Sequence, residues 1–134
     1  MNKLKAYTLQ YLSDKFITVF PFLKLEFYST DHKGNEGSGR AYLLQHNTAL
    51  SVIDPDEADK IDFSIYGEKS VAEFEKMMKE KFRLNVQVFR KSADIWLQTT
   101  ATDHWSLNKQ NGKGQRSTLD YNIEPVDITD FDVD

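Results

Sequence analysis

There is no cysteine in the chain. Disulfides, thiolate nucleophiles and every cysteine-held metal or iron–sulfur centre are thereby excluded, and the composition fits a reducing compartment. No apolar run approaches the ~20 residues needed to span a bilayer. The basic start Met1-Asn2-Lys3-Leu4-Lys5 leads into a stretch broken by Thr8, Gln10, Ser13, Asp14 and Lys15, not into a signal-peptide core. A soluble, cytoplasmic protein without a membrane partner is the expectation. Motifs of covalent and phosphate chemistry are missing too: no Gly-x-Ser-x-Gly, no Gly-Lys-Ser/Thr, no His-x-x-x-His and no His-Glu-x-x-His occurs. No catalytic residue, metal-ligand set or cofactor is therefore assigned.

A strong excess of positive charge is also lacking. The formal net charge is −4, and its distribution is uneven. From Ser117 onward stand six acids (Asp120, Glu124, Asp127, Asp130, Asp132, Asp134) and no Lys or Arg, which leaves residues 1–116 with 17 bases, 15 acids and a net +2. Neither part has the bias of a nucleic-acid binder, so nucleic acid is not the expected partner. The division suggests a single domain over 1–116 and an acidic-apolar tail over 117–134.

What the chain does have is core material. Its 134 residues include nine Phe, six Tyr and two Trp, enough for one buried core. The clearest element starts at Ser70, where Ser70 and Glu73 have the spacing of a capping box. Val71, Phe74, Met77/Met78 and Phe82 follow at helical spacing. The period then drops to two. Leu84, Val86 and Val88 alternate with Asn85 and Gln87, and after Lys91-Ser92-Ala93 a second run places Ile95 and Leu97 on one face.

Earlier in the chain, Thr8 is a candidate cap for a helix carrying Leu9, Leu12, Phe16 and Val19 or Phe20, which Pro21 ends. Phe22–Tyr28 alternates as a strand, and Ala41–Gln45 reads as its returning partner. Both halves therefore read α-β-β, a possible pseudo-repeat. Between them, Asp54-Pro55 begins a helical turn to Lys60, and Ile61, Phe63 and Ile65 alternate as a further strand. Trp105–Asn108 reads as a short helix, and Asn111-Gly112-Lys113-Gly114 as a breaker. The sum is an α+β domain: an antiparallel sheet of four to five strands with two main helices on one face.

Two candidate sites follow. A sheet covered by helices on one side needs one apolar face, yet Phe89 and Trp96 fall opposite Val86, Val88, Ile95 and Leu97, with Tyr28 and Tyr42 as counterparts in the first half. Arg83, Arg90 and Lys91 stand nearby. Such a face calls for the chain's own tail, a second copy, a protein partner or, with those cations, stacked nucleobases, and Val126, Ile128 and Phe131 are the tail side chains suited to docking on a sheet edge. The expected role is a non-catalytic interaction or accessory module with an unknown protein partner or a second copy of itself. The alternative is a small-molecule or phosphate-binding domain, or an enzyme, with its site under the Gly-rich loop 31–40. There Asp31, His32, Lys33, Gly37, Gly39 and Arg40 would form the mouth. The histidines His32, His46 and His104 read as surface or capping residues.

Overall fold

A computed structural model describes residues 7–29, 43–50 and 55–122. The protein is an α+β fold whose four strands form one antiparallel sheet in the order β2-β1-β3-β4: β1 is Leu23–Tyr28, β2 Leu43–Leu44, β3 Asn85–Ser92 and β4 Ile95–Gln98. Four α-helices accompany it: α1 (Leu9–Val19), α2 (Pro55–Lys60), α3 (Val71–Phe82) and α4 (Leu107–Asn122). The central pair β1–β3 sets Leu25 opposite Val88 and Phe27 opposite Val86, so the inward residues of both strands share one face. Each half contributes α-β-β in chain order, and the two halves meet at that pair.

Helix α3 begins as its residue types dictate. The Ser70 hydroxyl accepts from Glu73 N–H at 3.1 Å, and the Glu73 carboxylate accepts from Ser70 N–H at 3.1 Å. Those bonds hold the Glu73 carboxyl below its ordinary range, the Ser70 backbone N–H being the larger cause. Helix α1 solves the same problem differently. Thr8 is its N-cap but makes no side-chain cap bond. Instead Leu9 N–H donates to Thr48 O at 3.0 Å and Gln10 N–H to His46 O at 2.9 Å, so a neighbouring loop satisfies the orphan donors. The core then closes on aromatic rings: Phe16 lies 5.4 Å from Phe63 and 5.5 Å from Phe74, centroid to centroid.

Three local expectations are corrected. Ile61, Phe63 and Ile65 form no strand; Phe63–Tyr66 is a 3-10 turn. Asp62 causes this, since its carboxylate accepts from Ser64 N–H at 3.0 Å and Ser64 Oγ–H at 2.6 Å, fixing a tight turn. Phe63 enters the core while Ile65 is 67% exposed. Secondly, the helix at 105–108 is the start of a 16-residue α4 that runs through Asn111-Gly112-Lys113-Gly114 without a break. Gly114 serves packing there. A Cβ at this position would stand 2.9 Å from Phe22 Cβ and 3.0 Å from Phe22 O, so only glycine lets α4 approach β1 so closely. Thirdly, with Leu107 in the core and Gln110 Oε1 accepting from Arg90 at 3.0 Å, α4 joins α1 and α3 as a third helix on the same face. It runs on past residue 116 to Asn122.

Candidate functional site

The strand register decides which side chains are left facing away from the helices. Leu23, Leu25, Phe27, Val86 and Val88 belong to the core, so the intervening Lys24, Glu26, Phe89 and Lys91, and Trp96 paired with Lys91, point to the other side. Phe89 and Trp96 are half-buried and outside the core cluster. Two lysines close over them. Lys24 Nζ sits 5.1 Å from the Trp96 ring centre and 5.5 Å from that of Phe89, and Lys91 Nζ sits 5.1 Å from Trp96. Lys24 Nζ is also paired with Glu26, so Lys91 carries the ammonium left to meet a carboxylate presented beside the rings.

At the β1 border, Glu26 is held by Lys24 at 3.2 Å and by His46 Nε2 at 2.8 Å; His46 Nδ1 in turn lies 3.2 Å from Gln10 Oε1. At the β3 border, where β4 departs, the buried Glu75 carboxylate accepts Val88 N–H at 2.9 Å. Val88 O takes Thr99 Oγ1–H at 2.9 Å and the Gln87 amide at 3.1 Å. A side chain from α3 thus ends the strand pairing that β4 would otherwise continue. Beyond that point β4 is an edge strand. Its helix-side residues Ile95 and Leu97, expected in the core, are 55% and 39% exposed, because the helical layer does not extend over β4.

Of the side chains singled out from the sequence, Phe89 and Trp96 come together. Tyr28 shares their face by alternation but is only 5% exposed. Of the three cations near the patch, only Lys91 joins it. Arg90 points to the helix side, bonded to Gln110 and 5.8 Å from the Trp105 ring centre, and Arg83 ends α3. Lys24 is the cation not singled out; its place opposite Phe89 follows from the β1–β3 register, which the sequence does not specify. Tyr42, Asp31, His32, Lys33, Gly37, Gly39, Arg40, Val126, Ile128 and Phe131 lie outside the described residues. His104 packs edge-on to Trp105 at 6.4 Å. Among the described residues no group of three His, Asp or Glu side chains is placed to hold a metal ion, and no helix is long and apolar enough to cross a membrane.

The strongest titration shifts belong to structural bonds. Tyr11 is pushed up to about 12, chiefly because its hydroxyl donates to Asp59, and the Asp62 carboxyl is lowered chiefly by the Ser64 hydroxyl. No protein-family model matches the chain, and no curated protein or solved structure matches it.

Proposed function

We propose that the protein is a non-catalytic interaction module that docks a protein partner on the sheet face of Lys24, Phe89, Lys91 and Trp96, with the acidic-apolar segment 117–134 as a second contact. One observation carries the reading: two aromatic rings are held by two lysines on the side of the sheet that faces away from α1, α3 and α4. Large aromatics beside cations are the side chains that concentrate binding energy in interfaces. With Arg90 turned away and Lys24 paired with Glu26, the face is a poor track for a phosphate backbone, while Lys91 is placed to take a partner's carboxylate beside the rings.

The test uses the full chain as bait in cells that express it, beside a Phe89→Ala/Trp96→Ala variant. A loss of about 2 kcal/mol at a central aromatic corresponds to roughly 30-fold weaker binding. A co-purifying partner should be recovered at least ten-fold less by the variant, with the melting temperature little changed, since neither ring is in the core. Equal recovery by both baits would end the proposal. Sedimentation of the purified chain supplies the remaining arm, in which a wild-type dimer lost in the variant identifies the partner as a second copy.

A further inference from the structure

We infer that a cavity at the Phe27–Leu84 end of the sheet is a binding site for a small carboxylic acid with an apolar body, its carboxylate taken by Arg83. None of Lys24, Phe89, Lys91 and Trp96 lines this cavity, so it is separate from the proposed docking patch. The cavity measures about 240 Å³, and its apolar lining comes from Leu9, Phe27, Leu44, Leu50 and Leu84. An apolar cavity of about 150 Å³ takes a benzene, so this one has room for roughly ten non-hydrogen atoms. Ser29 and Leu44, at the two borders of segment 30–42, both line it.

Arg83 supplies the ligand's charge class. It lines the cavity, and its exposed side chain makes no ion pair or hydrogen bond among the described residues. Its backbone adds a second, independent observation. As the residue after α3 it has φ 59° and ψ 34°, the left-handed conformation for which glycine is the default. An arginine there strains the fold, and the α3 dipole does not require it, because Lys79 and Lys81 already stand in the last turn. A side chain at a strained position, with no partner among the described residues and beside an apolar cavity, has the geometry of a ligand clamp. A medium-chain fatty acid or an aryl-alkanoate has the matching size and charge.

The full-length protein is titrated with octanoate and with 3-phenylpropanoate, followed by amide chemical shifts and melting temperature. 1-Octanol supplies the tail without the charge, and acetate the charge without the tail. Octanoate should move the amides of Leu50, Leu84 and Asn85 and raise the melting temperature, octanol should bind at least ten-fold more weakly, and acetate should do nothing. Arg83→Gly should weaken octanoate by about ten- to a hundred-fold, the range for losing a charge-assisted bond. It should also melt at a higher temperature without ligand, so lost binding cannot be ascribed to misfolding. Arg83→Lys should recover part of the affinity. No shift with either acid overturns the site; equal binding of octanol and octanoate, or undiminished binding by Arg83→Gly, overturns the role of Arg83.

Discussion

Two phenols converge on one carboxylate where α1 meets α2. Tyr7 donates to both oxygens of Asp59 at 3.0 Å, Tyr11 donates to Oδ1 as well, and the two rings pack edge to face with centroids 4.7 Å apart. Lys15 adds a bond to Asp59 O at 3.0 Å. Tyr11 ionises only at about 12 in the folded chain, against 10.0 for a free tyrosine. The bond's stabilisation is therefore complete below pH 10 and is lost as the pH climbs toward 12. Alkaline titration followed by urea unfolding should show stability falling across that window. In Tyr11→Phe the fall should be shallower, from a slightly lower starting value at pH 8; an unchanged alkaline limb would remove Tyr11 as its source. The lowered Asp62 and Glu73 carboxyls act with the opposite sign, adding stability at neutral pH that is lost as acid protonates them. Nothing in the spacing of Tyr7, Tyr11 and Asp59 announces this cluster, because it joins residues 48 and 52 positions apart.

At the scale of elements, what could be read in advance was what is decided locally. The Ser70–Glu73 box, the α3 stripe and the alternation of β3 depend on neighbours within one or two turns, and all three stand in the structure. The alternating strand over 61–65 is absent because one carboxylate, Asp62, outbid the apolar pattern. The α4 helix was illegible for a different reason: its glycines look like a turn until Phe22 is known to press against Gly114. Two substitutions separate these roles. Gly114→Ala should destabilise by about 1–3 kcal/mol, as overpacking does, despite its better helix propensity. Gly112→Ala meets only the flexible end of Arg116 at 3.4 Å and should stabilise by up to about 1 kcal/mol. Urea midpoints that moved the same way for both would contradict the packing role of Gly114.

For the molecule as a whole, α4 acts as a strap. Ser117 Oγ accepts Ala93 N–H at 3.1 Å and donates toward Lys91 O at 3.2 Å, so the helix pins the β3–β4 turn. A chain ended at Arg116 should therefore unfold at lower urea than one ended at Asn122; equal midpoints for the two would show that the strap contributes nothing. The sequence allowed the aromatic face to be anticipated because side-chain parity along β3 and β4 is independent of the partner strand. It could not show which cation from β1 would reach across, nor that the helices stop short of β4, because both depend on registers and crossing positions set by the whole core.

The joint between β1 and β3 has a kinetic corollary. Asn85 reaches back to Tyr28 across 57 positions of chain, while each hairpin joins strands that are near neighbours in sequence. Closing so wide a loop costs roughly 3–4 kcal/mol of chain entropy before any contact across it repays the loss. Each half can assemble its helix and hairpin early, and the rate at which the protein becomes whole is then set by how often the two halves find one another.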